Sequence, residues 1–354
     1  MYKTYTYKIK PNKAVERKFY EWCGITRFVY NCALELKMES YKKGLKLSNY
    51  DIQKQLTIAK KDFTFIKNVA NESLNASLDR LDKSYKCFFK GSGYPKFASK
   101  NNWRSIHFKR PRLVNNSFVM PVFGSIKVFS FKAPKGIIKT ASIVKEADGL
   151  YLKIIVKESI APRRESQSIC AIDMGIKYFL TTSDGVFVDN PRHLFEFLKK
   201  LRIENRKLSR MKKGGSNWIK QVEVLKRLYQ KISRVRKDFL HKQSRILSND
   251  YSTVIIENLN VSGMAKNSRL SKHILDCSWA TFFQLLSYKT EVIKVNPAYS
   301  SQDCFKCGHR SKENRKTQSL FECVSCGHLD NADLNAANNL LKRGQSLLEA
   351  NVSQ

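Results

Sequence analysis

Four cysteines carry the most specific chemistry in this sequence. Cys304 and Cys307 form one Cys-x-x-Cys pair, Cys323 and Cys326 form a second, and 15 residues separate the pairs. Gly308 and Gly327 follow directly. Two thiolates three positions apart on a tight turn can face one ion, and the glycine permits the close backbone approach that follows. Two such knuckles complete a tetrahedral zinc site, and a redox Cys-x-x-Cys does not come as a matched pair with this spacing. His309 and His328 come next in the chain, but four thiolates already satisfy zinc, so both are expected to be spectators. With no open coordination position implied, the zinc is structural.

Three acids close or open apolar elements. Asp173 lies in SICAIDMGIKYFLTTSDG, Glu257 closes STVIIENLNV, and Asp333 lies in DNADLNAANNLL. A lone carboxylate near a core is costly unless it is paired or metal-bound. Two acids on strands and one opening a helix is the arrangement a two-metal nuclease needs, with the ions activating water and stabilising the leaving oxygen of a phosphodiester. Each acid taken singly has a plainer reading: Asp333 as a helix N-cap, Glu257 as an exposed strand end. Pattern alone leaves these open.

The elements that must position these groups are readable from periodicity. Residues 2–10 alternate as a strand stopped by Pro11. Residues 12–42 carry Val15, Phe19, Trp22, Phe28, Val29 and Cys32 at helical spacing. A second helix begins after Ser48. A third spans 71–90 through Leu74, Leu78, Leu81, Tyr85 and Phe88 and ends at Gly91. Short alternating runs follow at Phe118–Val122, Ile126–Phe131, Ile137–Val144 and Leu150–Val156, with Asp148-Gly149 as a hairpin turn. They predict a small β-barrel that the first strand joins, making 12–100 a helical insertion. Residues 162–167 (PRRESQ) read as a linker. Ser168–Asp173, Tyr178–Thr182 and Val186–Val188 form a meander turning at Ser183-Asp184-Gly185. Residues 251–257 are a strand, 277–289 a helix, Glu291–Val295 a strand, and a last helix runs from about Asp333 to Lys342. The fold class is α+β multidomain.

Charge names the class of partner. The 354 residues carry 65 Lys and Arg against 30 Asp and Glu, a net +35, which exceeds what solubility needs and fits a polyanion. No run of about 18 apolar residues is present, and the start lacks the apolar core of a signal peptide, so a membrane partner loses ground. Cys23, Cys32, Cys87, Cys170 and Cys277 are scattered through apolar stretches, the pattern of reduced thiols in a cytosolic protein. From Lys199 to Arg245 there are 17 basic residues against Glu204, Glu223 and Asp238, with Gly214-Gly215 breaking two helices. The second keeps an apolar stripe at Ile219, Val222, Leu225, Leu228, Ile232, Val235 and Phe239. Like charges at i,i+4 spacing repel, and an excess of this size calls for an anionic partner. Lys207, Arg210, Lys212, Lys213, Lys226, Arg227, Arg234, Arg236 and Lys237 are the candidate phosphate contacts.

The motifs together resemble a known family. IDMGIKYFLTTSDG, VIIENLNV and DLNAANNL stand in the order of the three RuvC motifs of TnpB proteins, the transposon-encoded OrfB "transposases" ancestral to type V CRISPR effectors. PAYSSQDCFKCGHR and FECVSCGHLDNAD resemble the zinc ribbon of that family. RKDFLHK (236–242), GYPKFASK (93–100) and RFVYNCALE (27–35) resemble other stretches of it, so the likeness covers nearly the whole chain.

That resemblance implies a β-barrel wedge domain (1–10 and 101–161) with an inserted helical recognition domain (11–100). It implies an RNase H-like RuvC nuclease domain (166–300 and 329–346) containing the basic helices 192–249, a zinc ribbon at 301–328 and a tail at 347–354. It further implies RNA-guided DNA cleavage, with Asp173, Glu257 and Asp333 holding two Mg²⁺ ions and Asp330 as the less favoured third ligand. The partners it implies are a guide RNA from the transposon end and double-stranded target DNA beside a short adjacent motif, in concert with a transposon-encoded transposase. The setting would be the bacterial or archaeal cytoplasm, at the nucleoid. One departure stands out: YKTEVIKV leaves almost no loop between the helix near Lys289 and the strand at Glu291, where an αβ connection takes about 2–6 residues. Either the helix ends early or the core packing is altered. The alternatives are therefore a cleavage-impaired RNA-guided DNA-binding protein and a transposase that joins strands itself. A zinc-ribbon binding module without an enzyme site would leave the three acids unexplained.

Overall fold

In the computed structural model, residues 2–109, 111–114, 117–120, 122–159 and 168–352 are described. Contacts divide the chain into two units, Met1–Ile160 and Ala161–Gln354. The linker expected at 162–167 lies outside the described residues.

In the first unit, strand β1 (Tyr2–Lys8) gives way to helix α1 (Lys13–Lys42), capped by the Asn12 side chain, which accepts from the Val15 amide at 2.8 Å. Helix α1 buries Phe19, Trp22, Val29, Ala33 and Leu34, spaced as one face. A reciprocal capping box between Ser48 and Asp51 opens α2 (Asn49–Asp62). Helix α3 (Asn71–Phe88) buries Leu74, Leu78 and Leu81. The strands are β2 (Ser105–Lys109), β3 (Arg112–Val114), β4 (Ser117–Met120), β5 (Gly124–Ile126), β6 (Ile137–Glu146) and β7 (Gly149–Lys157). They form a four-stranded sheet ordered β1-β7-β6-β2 and a three-stranded sheet ordered β3-β4-β5. The chain thus leaves the larger sheet at one edge, makes three helices, and returns at the other edge. The three helices lie between β1 and β2 in the chain, and the strands are shared between two sheets. At residues 8–10 the chain turns from one toward the other: Ile9 bridges Val128, and the Lys10 amide donates to the Lys127 carbonyl at 2.8 Å.

Three local expectations change. Of the run Ile126–Phe131, Ile126 closes the regular strand β5 and Val128 makes an isolated bridge. Strand β4 stops at Met120, and Val122 has φ +69°, outside the β region. Glu146 pairs with Gly149, so Ala147 and Asp148 are the central turn residues.

In the second unit, β8 (Ile169–Met174), β9 (Tyr178–Thr182) and β10 (Phe187–Asp189) form the meander. Helices α4 (His193–Ser209) and α5 (Ser216–Asp250) follow, then β11 (Thr253–Glu257), α6 (Val261–Met264), α7 (Ser271–Cys277), α8 (Trp279–Ser287) and β12 (Glu291–Val295). A short ribbon of β13 (Leu320–Glu322) and β14 (Leu329–Asn331) leads into α9 (Ala332–Val352). The main sheet is ordered β10-β9-β8-β11-β12, with β11 parallel to both its neighbours. Every residue of β11 is buried, as a central parallel strand covered on both faces requires. On one face Val254 and Ile256 pack with Cys170, Ile172, Trp279 and Phe282; on the other Ile255 packs with Ala171 and with Leu340 of α9. Helix α9 lies so close that a Cβ at Gly344 would sit 2.2 Å from Ile255 Cδ1.

Helix α9 runs to Val352, ten residues beyond its expected end at Lys342, so 347–352 is helix and not tail. Ile219 is 52% exposed, and the buried part of the α5 stripe begins further on, with Leu225, Leu228 and Ile232. The shortened connection is met by an early helix end. Helix α8 stops at Ser287, Lys289 Nζ donates to the His241 carbonyl (3.0 Å) and Ser244 Oγ (2.6 Å), and Thr290 Oγ1 donates to the Tyr251 and Ser252 carbonyls. No described helix is long and apolar enough to cross a membrane.

Candidate metal centre and acidic site

The two Cys-x-x-Cys turns meet. Cys304 Sγ lies 3.7 Å from Cys326 Sγ, Cys307 Sγ lies 3.6 Å from Cys323 Sγ, and all four sulfurs are within 4.8 Å of one another. A tetrahedron with Zn–S of about 2.3 Å has S···S edges of about 3.8 Å, so the donor set fits zinc. The turns are built alike. The Gly308 amide donates to the Cys304 carbonyl (2.8 Å) and the Gly327 amide to the Cys323 carbonyl (2.9 Å), with glycine φ of +76° and +69°. His309 and His328 supply backbone carbonyls, accepting from the Cys304 and Cys323 amides, and neither belongs to the sulfur cluster. The buried Asn314 side chain ties the turns together: it donates to the Gln302 and His309 carbonyls and accepts from the Val324 amide at 3.0 Å.

Among the acids, strand pairing decides the geometry. The β8–β11 ladder ends with Ile256 opposite Ile172, and the next residues along the two strands are Glu257 and Asp173. Adjacent strands lie about 4.8 Å apart and residues at one level face the same side, so both carboxylates emerge together. Asp333 sits in the first turn of α9, which packs along β8. Its carboxylate is not the helix cap. Asn331 Oδ1 does that work, accepting from the Asp333 amide at 2.9 Å. Asp333 Oδ1 faces Arg315 Nη2 of the ribbon at 3.5 Å.

The electrostatics agree with a shared site. Burial, then the charges of Glu257 and Asp333, push the Asp173 carboxyl up to about 8, against the pull of Arg315. Burial also raises Glu257, opposed by a hydrogen bond from Ser300 Oγ (3.1 Å) and by Arg343. Burial raises Asp333, opposed by Arg315 and Lys177. A buried carboxyl whose ionisation is opposed by two neighbouring carboxylates is what a bound cation relieves. Asp330 points elsewhere, accepting from the Asn331 amide and lying 3.7 Å from His328 Nε2.

One set of supporting residues escaped sequence reasoning. Asn335, Asn339 and Arg343 lie on one face of α9. Asn335 donates to the Asp303 carbonyl and Asn339 to the Ser300 and Asp303 carbonyls. Arg343 donates to the Asn296 and Ala298 carbonyls and to Asp303 Oδ2 at 2.7 Å. The helix that carries Asp333 thereby grips the segment whose Ser300 holds Glu257. The available signal was polar residues at i, i+4 and i+8 of the helix. Arg315 left no such pattern.

The basic candidates divide. Arg210, Lys212, Lys213, Arg227, Arg234 and Lys237 are exposed. Lys207 pairs with Glu204 and Lys226 with Glu223 on the surface. Arg236 is a correction: its Nη2 lies 2.6 Å from Oδ1 of the buried Asp276, which also accepts from the Leu194 amide at 2.9 Å and so caps α4. Arg236 is a structural cation joining α5, α7 and α4.

Comparison with known proteins places the chain. The family profile described as "Probable transposase" matches residues 153–268, one described as "Cas12f1-like, TNB domain" matches 279–340, and one described as "Helix-turn-helix domain" matches 1–46, which here comprise β1 and the single long helix α1. In overall fold the chain is like CasPhi-2 (Cas12j) bound to crRNA, with a TM-score of 0.51 at 12% identity, covering 97% of this chain and 98% of that one. It is thus a mixed α/β protein of the Cas12 fold with a four-cysteine cluster. It is 30% identical to "Putative RNA-guided DNA endonuclease InsQ" of Escherichia coli (strain K12), over 97% of this chain and 92% of that protein. It is 27% identical to a protein described as "Putative RNA-guided DNA endonuclease" from Streptomyces pristinaespiralis, over 97% and 89%. The chain belongs to the TnpB (OrfB) family.

Proposed function

We propose that the protein is an RNA-guided DNA endonuclease. The observation that carries this reading is the in-register emergence of Asp173 and Glu257 from adjacent parallel strands beside Asp333, in a chain whose family relatives are described as RNA-guided DNA endonucleases. Asp173, Glu257 and Asp333 would hold two Mg²⁺ ions, since hard cations take carboxylate oxygens. Bound there, the ions would lower the pKa of an attacking water and stabilise charge on the departing oxygen of a phosphodiester. Ser300 orients Glu257. Arg315 offers a cation beside the site for the scissile phosphate, and its neighbour Asp333 keeps it there. The four cysteines hold one structural Zn²⁺ ion.

The domain assignment that goes with this reading is a wedge at 1–10 and 101–161, a recognition insertion at 11–100, a RuvC-like nuclease domain at 166–300 and from 329 onward, and a zinc ribbon at 301–328. The exposed cations Arg210, Lys212, Lys213, Arg227, Arg234 and Lys237 suit a guide RNA and its heteroduplex with target DNA, whose sequence base pairing would read. The guide would derive from the transposon end, and a transposase from the same element would be the functional partner at the nucleoid. The hydrogen-bonded Lys289–Thr290 connection favours a competent site over a cleavage-impaired one.

The test is to express the protein with flanking transposon sequence, sequence the RNA that copurifies, and supply DNA matching it. Mg²⁺-dependent cutting of the matched DNA, lost in Asp173→Ala, is expected. Cutting that persists in Asp173→Ala would overturn the site, and strand-transfer products without any RNA would favour a transposase.

A further inference from the structure

The GYPKFASK stretch has no place in the acidic site, yet it builds a distinct feature of the first unit. Gly91, with φ +93°, turns the chain back past the C-terminal end of α3. This sets Tyr94 against that helix end: Tyr94 Oη lies 2.9 Å from Tyr85 Oη, and its ring meets Phe88 edge-on at 5.2 Å between centroids. Phe89 continues the array, 5.4 Å from Phe88 and 79% exposed. Tyr41, at the end of α1, is 72% exposed and lines the same open cleft of about 660 Å³. Lys37 lies over the Tyr85 ring at 5.0 Å and Lys46 extends the basic rim, while Lys86 pairs with Asp82 at 2.8 Å.

Large aromatic faces left in water are costly unless something covers them. Phe89, tilted 52° to Phe88, and Tyr41 both keep most of their ring surface exposed, and a lysine rim selects for negative charge. Aromatic platforms interleaved with cations are how single-stranded nucleic acids are held, each base stacking on a ring while its phosphate meets a cation. An apolar peptide would have no use for the rim. A base paired in a duplex keeps its faces covered by its neighbours, so the occupant must be unpaired.

We propose that this cleft is a stacking site for unpaired bases of the guide RNA, with Phe89 and Tyr41 as the ring platforms and Lys37 and Lys46 as phosphate contacts. This rests on the RNA-guided reading above. The probes are a single-stranded ten-nucleotide oligoadenylate and an RNA duplex of the same length, each titrated against the full protein freed of copurified RNA. Ultraviolet crosslinking of the intact ribonucleoprotein, with peptide mapping, reports the occupant. Phe89→Ala, at a site too exposed to unfold the helix, should weaken the single strand about tenfold, the loss of one stack. It should leave the duplex unchanged, Phe89→Trp should restore binding, and RNA crosslinks should map to the peptides carrying Phe89 or Tyr94. Unchanged single-strand affinity would overturn the proposal, as would equal losses for strand and duplex. Crosslinks there only to target DNA or to protein would overturn it too. If it fails while matched DNA is still cut with Mg²⁺, the endonuclease reading stands and only this cleft is reassigned.

Discussion

Asp173 and Glu257 stand one step beyond the last paired residues of two neighbouring parallel strands, Ile172 opposite Ile256. The ladder that buries β11 on both faces therefore also delivers two carboxylates to one point. Any change that slips the register by one residue would turn one acid to the opposite face.

Asp173→Ala should reduce guided cutting to background. Ser300→Ala, which removes the hydrogen bond orienting Glu257 and a second one to the Pro297 carbonyl, should cost about 10–100-fold, as groups that orient metal ligands usually do. Both variants should bind RNA and matched DNA as the unaltered protein does. Cleavage rates read beside filter binding separate the two effects, and a Ser300→Ala loss as complete as that of Asp173→Ala would make Ser300 part of the chemistry itself.

Cys323→Ser should lower the zinc content from one ion per chain and loosen the second unit around the ribbon. Zinc binding supplies on the order of 10 kcal/mol of folding free energy in small zinc folds. Elemental analysis with limited proteolysis checks this; fully folded, zinc-free protein after chelation would contradict a structural role.

Arg236→Ala should destabilise the protein by about 3–5 kcal/mol, because it strands the buried Asp276 charge. Lys212→Ala with Lys213→Ala should change stability by less than about 1 kcal/mol. The same pair should flatten the salt dependence of single-stranded RNA affinity by roughly 0.7 in logarithmic slope for each phosphate no longer neutralised. Urea unfolding and salt titrations give both numbers.

Gly344→Ala places a methyl carbon 2.2 Å from Ile255 Cδ1. It should cost about 1–3 kcal/mol by overpacking, and Ile255→Val in the same chain should recover part of it. Since α9 carries Asp333, cleavage should fall alongside stability. A single variant as stable as the parent would show that α9 can shift without harm.

In the first unit, burial, then the charges of Arg80 and Lys83, push His107 down to about 4. Unfolded, it would titrate near its ordinary value of about 6.5. The native state therefore binds fewer protons between those values, so the stability tied to the neutral ring is complete above pH of about 6.5 and is lost as pH falls toward 4. The melting temperature of His107→Gln, whose amide oxygen can still accept from Arg80, should fall less over that interval than that of the unaltered protein. Parallel pH curves would reject the assignment.

The sequence by itself determined the local grammar. Period-two and helical patterns mark β1, α1 and α3 because their apolar residues face a core in the repeat of the element itself, and short apolar runs mark β9 and β12. The paired Cys-x-x-Cys turns announce their ligands because all four cysteines lie within one short segment. Only the tertiary structure decided what depends on partners far along the chain. Hydrophobic pattern says that β8 and β11 are buried but not that they are neighbours, or in which register, so the meeting of Asp173 with Glu257 is invisible in pattern alone. A cation in a basic run looks the same whether water or a buried acid awaits it, which is why Arg236 reads as a phosphate contact until Asp276 is seen beside it. The end of α9 is hidden for a related reason. Its later turns hold to the sheet through Gly344 against Ile255, and to the 296–303 segment through Arg343, and no helical periodicity records either attachment.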